Sequence, residues 1–474
     1  MKYFLLIACS LLLPFLCISQ SIQQVLQSPI QWEETNSEAD IIPLFNYDSS
    51  NVCLLIKRKT TIDAMMLNKH LQLTGKQSMK LPTGFYSKDI IGGIVKQNSC
   101  ILYMFDQYRN DIHYITFDFE NNNSYYHQYS IESNTKSHFI QAVTYDSSLC
   151  MLMVPYGTPA IEMYQLSYDG YEKKVFDLWG HKFTSEGNRK SLYNTISPHK
   201  KQTFKIPEVT YNSFGLSHHT NKLYQQNNKL YLTIEDQISH STQVIELDLQ
   251  NGIAAFQKYD FPEEFDYTNS FLYKKHLFRI ASNNHEMRLV VNSLDNQSIV
   301  QQFTASKKGE ISFKNTPVIE IQDLSEELKH TKHFFKKLHS PSIGISVYET
   351  NANTLEVTIG ANETNDLESV ASAYTYNPMY ADFKANKTLH ASYIKSLLSI
   401  GSFSHIRNEL LDNSIVKLSH SIESIGLPLY RLGETLFKLK DDYIYGYYDG
   451  EDKAYHLLRV HLNHSEHIVS SRAQ

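Results

Sequence analysis

The sequence predicts an all-β protein built from many short strands, and three observations support that fold class. Tyr and Phe, which favour strands, number 32 and 24 in a chain of 474 residues. A pattern of apolar approach, short polar turn and second apolar run recurs along the chain. Asp-Gly and Asn-Gly pairs, which are strong signals for tight hairpin turns, follow several of the copies.

Three cysteines mark the clearest copies of this repeat. Cys53, Cys100 and Cys150 lie 47 and 50 residues apart, each in an apolar run. Residues 47–50 and 145–148 both read Tyr-Asp-Ser-Ser, so the turn before the run is repeated as well. We therefore expect each cysteine in a strand after a tight turn, with a buried and unreactive thiol. An odd number of widely spaced cysteines does not suit a disulfide framework.

Further copies continue to the end of the chain. The equivalent positions are Tyr231, Phe278 and Ile444, with a weaker copy at Gly344. An alternating strand follows most copies, and then a further short strand, as at residues 125–131, 172–178 and 253–261. Three to four short strands in a unit of about 47 residues is the period expected of propeller blades.

The chain therefore resembles a β-propeller over nearly its whole length after residue 19. The resemblance is architectural, because the Gly-His and Trp-Asp signature of WD40 repeats and the Trp-containing box of sialidases are missing. The spacings predict seven blades in one domain over residues 20–474, with six and eight blades left open. Residues 22–32 are expected to add a strand to the last blade and so close the ring.

Gaps between the repeat positions predict insertions near residues 180–211, 323–338 and 364–425. The first is polar and irregular, which indicates a loop. The second has a cap-like Asp323 or Ser325, early acids and late lysines, which predicts a helix. The third is an insertion or a degenerate eighth blade, and residues 406–425 within it suggest another helix with one apolar face.

The N-terminus predicts export. Residues 1–19 combine an early Lys2, a long apolar stretch and a small residue, Ser19, which is the layout of a cleaved signal peptide. A retained anchor and lipidation at Cys9 are the alternatives. After residue 19 there is no apolar stretch of some 18 residues, so no transmembrane segment is predicted in the mature chain. We expect a periplasmic or extracellular protein, and the composition rich in Asn, Lys, Ile and Tyr points to a bacterial host.

Composition and motifs argue against several function classes. With 44 Lys and Arg against 50 Asp and Glu, net charge −6, there is no basic footprint for nucleic acid. Nucleophile-elbow, Walker, dinucleotide and EF-hand motifs are missing, so no catalytic residue and no cofactor is predicted. Neither His218-His219 nor His330 with His333 lies in a metal motif. The turn at residues 449–452 is explained as a hairpin, and no metal is expected.

Candidate binding residues lie in the insertions, because propellers carry function in loops at one end of a rigid scaffold. Tyr374, Tyr376, Tyr380 and Phe383 suit a sugar ring or a protein partner; alternatively they pack the loop onto the blades. Arg189 and Lys190 belong to a basic group that could bind an acidic glycan, a phosphate group or an anionic protein surface. Alternatively, these residues are ordinary charged loop residues in contact with solvent. The other members of the basic group are His181, Lys182, His199, Lys200, Lys201 and Lys205.

The sequence thus favours a binding or scaffold protein that uses one propeller face for a protein or glycan partner. The alternative is a secreted carbohydrate- or lactone-active hydrolase or lyase with its site in the propeller funnel. A structural part of an envelope assembly is a third reading. Carboxylates with shifted pKa values in a funnel would favour the enzyme, and an exposed aromatic patch would favour binding.

Overall fold

The computed structural model describes residues 22–30, 32, 39–46, 50–82, 89–132, 136–196, 203–206, 214–321, 325–350, 354–362, 377–387, 390–407, 418, 422, 427–428, 431–440 and 442–460. These residues form seven sheets of four or five strands and one two-stranded hairpin. The predicted signal peptide lies outside the described residues. Within them, no helix is long and apolar enough to cross a membrane.

The first three sheets each contain four consecutive antiparallel strands, while strand β1 (Ile22–Pro29) belongs to the last sheet. Sheet 1 comprises β2 (Asp40–Phe45), β3 (Asn51–Lys57), β4 (Thr61–Asn68) and β5 (Leu73–Lys80). Sheet 2 comprises β6 (Asp89–Lys96), β7 (Ser99–Asp106), β8 (Asp111–Asp118) and β9 (Asn123–Ser130). Sheet 3 comprises β10 (Ser137–Tyr145), β11 (Ser148–Pro155), β12 (Ala160–Leu166) and β13 (Tyr171–Asp177).

Sheets 4 and 5 follow a small insertion. The insertion holds the hairpin β14 (Phe183–Ser185) and β15 (Asn188–Lys190), and helix α1 (Leu192–Ile196). Sheet 4 comprises β16 (Phe204–Ile206), β17 (Asn221–Gln226), β18 (Lys229–Asp236), β19 (Ser241–Asp248) and β20 (Ile253–Asp260), with helix α2 (Phe214–Ser217) after β16. Sheet 5 comprises β21 (Tyr267–Tyr273), β22 (His276–Ser282), β23 (Glu286–Ser293) and β24 (Ile299–Ser306).

Sheets 6 and 7 complete the set. Sheet 6 comprises β25 (Ile319–Ile321), β26 (Ser325–Glu327), β27 (Ile343–Glu349), β28 (Thr354–Asn362) and β29 (Ala391–Ser399), with helices α3 (Thr331–Leu338) and α4 (Pro378–Lys387) between its strands. Sheet 7 comprises β30 (Arg431–Leu439), β31 (Asp442–Asp449), β32 (Ala454–Val460) and β1. Strand β29 lies inside the range 364–425, so that range contributes to a sheet.

The repeat found in the sequence corresponds to the second strand of each sheet. Cys53, Cys100 and Cys150 lie in β3, β7 and β11, and all three are free and buried, as predicted. Burial raises the pKa of Cys53, and it raises the pKa of Cys150 to about 12, so both thiols are protonated and unreactive at neutral pH. The later copies at Tyr231, Phe278 and Ile444 lie in β18, β22 and β31.

The weak copy at Gly344 is an exception, and its predicted position is wrong. Gly344 lies in β27, the first strand of sheet 6, and the second strand is β28. The reason is a change of strand order: β25 and β26 precede β27 in sequence but form the outer edge of the sheet. A repeat position inferred from spacing alone is therefore displaced by one strand here.

The helix predicted near residues 323–338 is shorter than expected. Its acidic first half, from Ser325 to Glu327, forms β26, and the helix begins only at Thr331. The backbone of the acidic segment pairs with β25 at the sheet edge, whereas the apolar side chains that a helix needs to bury, Phe334, Phe335 and Leu338, all lie later. The two lysines predicted near the C-terminus, Lys336 and Lys337, are in the last turn.

The first and last parts of the described chain meet in sheet 7. Strand β1 pairs antiparallel with β32 from Ile22 opposite Val460 to Pro29 opposite Ala454, which confirms the predicted strand addition. Trp32 then stacks on Tyr448 with 4.5 Å between ring centroids. The ring lies so close to Gly433 (φ 51°) that a Cβ there would approach its Cη2 to 2.6 Å, so only glycine fits.

The order of the sheets is that of a β-propeller. First strands of neighbouring sheets contact each other, β2 with β6, β6 with β10 and β21 with β27, and β30 of sheet 7 contacts β2 of sheet 1. The hydrophobic clusters lie between sheets, and one of them joins sheets 7 and 1 through Leu26, Trp32 and Val52. Sheets 1 to 5 thus bury both faces against their neighbours, and sheet 7 packs on one side against Met379 and Phe383 of α4. The predicted blade number, seven, stays a prediction for the whole chain.

Candidate functional site

Turns that follow the second or fourth strands of sheets 2, 3 and 4 expose large apolar side chains. In three places a strand-ending carboxylate accepts a hydrogen bond from the backbone N–H two residues later and so fixes the turn. The pairs are Asp106 with Tyr108 at 3.0 Å, Asp177 with Trp179 at 2.8 Å, and Asp236 with Ile238 at 3.2 Å. The turn holds each apolar side chain away from its own sheet.

These three side chains and Tyr156, which is exposed in a turn of sheet 3, form what we call the aromatic face: Tyr108, Tyr156, Trp179 and Ile238. Their exposed fractions are 101%, 56%, 79% and 63%. Tyr108, Tyr156 and Ile238 occupy the second-to-third strand turns of sheets 2, 3 and 4, and Trp179 follows the fourth strand of sheet 3. Because second and fourth strands of an antiparallel sheet run in the same direction, these positions share one end of their sheets.

Hydrogen bonds link these turns across the three sheets. Asn110 O accepts from Ile131 N at 2.8 Å, which joins the Tyr108 turn to the segment that leads into sheet 3. At the other end of that segment, Lys136 O accepts from Tyr156 N at 2.7 Å. These two hydrogen bonds hold the described ends of that segment, Ile131 and Lys136, beside the turns that carry Tyr108 and Tyr156.

The first insertion extends the aromatic face to sheet 4. The ring of Tyr156 packs edge-on against Tyr193 of α1, with centroids 5.3 Å apart. In the hairpin, Gly187 N donates to Asp236 Oδ1 at 3.1 Å, and this glycine lies directly against Ile238. The hairpin is thus fixed beside the sheet 4 turn.

Five cations lie in the segments that carry the aromatic face, together with the exposed acid Asp177. The cations are Arg109, Lys136, Lys182, Arg189 and Lys190; all but the partly buried Lys190 are exposed. In the described part of the chain, none of the five takes part in a salt bridge. Glu132 and Glu186 are exposed acids in the same segments. The surface therefore combines apolar rings with free cations.

The structure places the predicted site residues in two different environments. Arg189 and Lys190 lie in β15, beside the aromatic face. Tyr380 and Phe383 lie in helix α4; Phe383 is 1% exposed, and Tyr380 packs against the same cluster. Tyr374 and Tyr376 fall outside the described residues, and a binding role for this second group stays a prediction.

Sequence analysis missed Tyr108, Tyr156, Trp179 and Ile238. A local signal exists for three of them, since an Asp followed two positions later by a large apolar residue ends the apolar run. The convergence of these turns from three sheets depends on the ring arrangement, which the local pattern does not contain.

One acidic pair lies near the same end of sheet 2. Asp89 begins β6 and Asp106 ends β7, and the two strands are paired. The pKa of Asp89 is raised by burial and by the charge of Asp106, and Lys57 opposes the shift. A raised carboxyl pKa is the property that a general acid requires.

A buried polar network joins sheets 4, 5 and 6. Lys222 Nζ donates to Asn269 Oδ1 at 2.6 Å and to Ser270 O at 2.7 Å. Ser270 Oγ donates in turn to Glu235, whose other oxygen accepts from Thr242 at 2.9 Å. Burial lowers the pKa of Lys222 to about 8 and raises that of Glu235. Both charged groups are at most 2% exposed, so this network is a structural joint and not a surface site.

Two histidines adjoin this network. His218 and His219 follow helix α2 and are not on a strand, so their rings lie close, 4.3 Å between centroids. Asn269 Nδ2 donates to His218 O at 3.1 Å, and His218 Nδ1 lies 3.3 Å from Asn362 Nδ2. Burial and the charge of Lys222 lower the pKa of His218 to about 4, and burial also lowers that of His219. Both rings are neutral at pH 7.

We expect acid to destabilise this region before the carboxylates titrate. The pKa of His218 is near 6.5 when unfolded and about 4 when folded, so its stabilising effect is complete above pH 6.5 and is lost as the pH falls towards 4. The loss at pH 4 is about 3 kcal/mol. Urea denaturation between pH 7 and 4 measures it. His218→Asn, which retains an acceptor for Asn362, should show a flatter profile; identical profiles would contradict the assignment.

Among the described residues, one group of side chains has metal-ligating geometry: Asp449, Asp452 and His456. The sequence analysis did not connect them, because residues 449–452 are explained by the hairpin alone and His456 lies on the next strand. His330 and His333 are exposed and are not part of this group.

The fold defines this chain as a β-propeller protein. No protein-family model matches the sequence, and no curated protein matches it. Among solved structures, the Dos1 propeller is similar to it at 10% identity and TM-score 0.33, covering 92% of this chain and 95% of that one. Apo AztD from Citrobacter koseri is similar at 9% identity and TM-score 0.27, covering 54% of this chain. The match spans 60% of the AztD chain.

Proposed function

We propose that this protein is a β-propeller binding protein whose aromatic face binds an acidic glycan. The observation that carries the proposal is the presence of four large exposed apolar side chains, Tyr108, Tyr156, Trp179 and Ile238, in fixed turns of three successive sheets. Soluble proteins rarely keep such residues exposed together unless they contact a partner. Rigid turns also reduce the entropic cost of binding.

The chemistry of the aromatic face selects the partner class. Tyr and Trp rings offer flat apolar surfaces on which sugar rings can stack, and they lose little entropy when bound. The unpaired cations Arg109, Lys136, Lys182, Arg189 and Lys190 match carboxylate or sulfate groups on the same polymer. An acidic protein segment is the competing partner, and the experiment below separates the two.

Affinity electrophoresis of the full chain in gels containing polygalacturonate, heparin or neutral dextran tests the proposal. We expect retardation by an acidic polymer and none by dextran. Trp179→Ala should weaken binding about tenfold or more, because an exposed ring that stacks on the ligand carries a large share of the binding energy. Replacing both Arg189 and Lys190 by Ser should reduce the dependence of affinity on salt.

The matched control is Ile253→Ala. Ile253 is 62% exposed and Ile238 is 63% exposed, but Ile253 begins β20 at the opposite end of sheet 4. Its replacement should leave binding unchanged. Equal losses of affinity in Trp179→Ala and Ile253→Ala, or no binding to any acidic polymer, would contradict the proposal. Binding of acidic peptides in place of polymers would reassign the aromatic face to a protein partner.

We also propose that the protein is exported, to a periplasm or to the exterior. The support is the composition of residues 1–19, an apolar stretch after Lys2 that ends at Ser19. N-terminal sequencing of the protein isolated from its host tests this. A first residue near Gln20 is expected, and a retained Met1 would contradict cleavage.

A hydrolase or lyase acting on a glycan or lactone is the second candidate function. One observation favours it: the raised pKa of Asp89 beside Asp106, near the end that carries the aromatic face. Assay of the acidic polymers for cleavage, with Asp89→Asn as the inactive variant, distinguishes the enzyme from the binding protein. Cleavage that Asp89→Asn abolishes would support the enzyme.

A further inference from the structure

The hairpin between β31 and β32 brings together three side chains that offer metal ligands. Asp449 ends β31, Asp452 lies in the turn, and His456 is in β32. One ligand atom from each lies within 4.8 Å of the other two. In both carboxylates Oδ1 accepts a backbone hydrogen bond of the turn, from Glu451 N at 2.9 Å and from Ala454 N at 3.0 Å. The turn therefore fixes both carboxylates through their Oδ1 atoms, while Asp452 Oδ2 also accepts a hydrogen bond from Gln27 of β1.

The histidine supplies an independent observation. The His456 side chain is 7% exposed and its ring stacks on Tyr447, with centroids 5.1 Å apart. Its Nε2 lies 2.9 Å from Asp452 Oδ2, yet neither ring nitrogen makes a hydrogen bond to any described residue. A buried imidazole normally has a partner for its nitrogens. Here Nε2 lies beside carboxylate oxygens, within 4.8 Å of a ligand atom from each aspartate, that could share a cation with it.

The donor set limits the kind of cation. Two carboxylate oxygens and one imidazole nitrogen form a three-ligand set with open positions. Ca²⁺ and Mg²⁺ prefer oxygen ligands alone, and the lack of a thiolate or thioether in this group disfavours Cu⁺. Zn²⁺, Co²⁺ and Mn²⁺ accept mixed nitrogen and oxygen ligands.

We propose that Asp449, Asp452 and His456 form a site for a divalent transition-metal ion of the Zn²⁺ type, at the place where the ring closes. Gln27 of β1 donates to Asp452 Oδ2 at 2.8 Å, and Ile30 N donates to Lys453 O at 3.0 Å. The ion would therefore fix the turn against which the first strand is held. The site is independent of the aromatic face, which lies on sheets 2 to 4.

Titration of the metal-free full-length protein with Co²⁺, followed by visible absorption, and with Zn²⁺, followed by calorimetry, tests the proposal. We expect one ion per chain at this site and a melting temperature that rises with metal concentration. Asp452→Asn and His456→Gln should each weaken binding by about tenfold or more. Asp452 is exposed, so its replacement leaves the folded protein available for measurement.

His127→Gln is the control, because His127 is an exposed histidine on the outer strand of sheet 2. It should bind the metal as the unchanged protein does. An affinity that neither Asp452→Asn nor His456→Gln alters would overturn the proposal, since the ion would then be bound elsewhere. Absence of binding at millimolar Co²⁺ and Zn²⁺ would overturn it as well.

Discussion

Lys222→Ala is expected to lower the free energy of unfolding by about 3–5 kcal/mol. Lys222 is fully buried between sheets 4 and 5, and its charge lies near that of Glu235. Removing the ammonium leaves the Glu235 carboxylate buried without the larger of the two cationic charges that compensate it, and leaves Asn269 Oδ1 without its 2.6 Å donor. Urea denaturation at pH 7, monitored by circular dichroism, measures the change.

Two further variants test the physical reason. Lys229→Ala removes an exposed ion pair with Glu246 in the same sheet and should cost at most about 1 kcal/mol. Lys222→Met combined with Glu235→Gln removes both charges and should recover part of the loss, because the buried carboxylate is removed together with the lysine. If the double variant is as unstable as Lys222→Ala, the loss comes from packing and hydrogen bonding instead of charge.

Trp32→Ala is expected to cost about 3–5 kcal/mol. The indole is 9% exposed, stacks on Tyr448 and fits against Gly433, and so it fastens the segment after β1 to sheets 7 and 1. The variant should unfold at a lower urea concentration while the folded protein still binds its ligand through the aromatic face.

The chain's other tryptophan provides the opposite control. Trp179 is 79% exposed, so Trp179→Ala should alter the free energy of unfolding by less than about 0.5 kcal/mol. Because Trp179 is part of the aromatic face, the same substitution should lower ligand affinity. A stability loss that is similar for the two variants would contradict both assignments. The two substitutions thus separate closure of the ring from ligand binding.

Most of the fold could be predicted from the sequence, because its signals are local. An apolar run after a polar turn specifies a buried strand, and this placed Cys53, Cys100 and Cys150 in equivalent strands of successive sheets. In sheet 6 the predicted repeat position, Gly344, was wrong. Strands β25 and β26 come before β27 in the sequence but form the outer edge of the sheet, and only the pairing of β25 with β29 reveals that order.

The candidate sites were harder to predict, since they depend on contacts between distant residues. Arg189 and Lys190 were found from charge alone. Tyr108 and Ile238 belong to different sheets, and nothing in their local sequence indicates that they share an end of the ring. Phe383 was selected as an aromatic loop residue, but an isolated aromatic residue gives no information on whether it faces solvent or, as here, a hydrophobic cluster.

The pairing of β1 with β32 has a consequence for how the protein is made. Gln27 and its partner Asp452 are 425 residues apart in the chain. At translation rates of about 5–20 residues per second, the ribosome needs roughly 20 to 90 s to reach the second residue after it has made the first. During that time β1 has no strand to pair with and exposes its backbone groups. The ring is therefore completed only after β32 has been made, so a chain interrupted before residue 454 would keep an open sheet edge that invites aggregation.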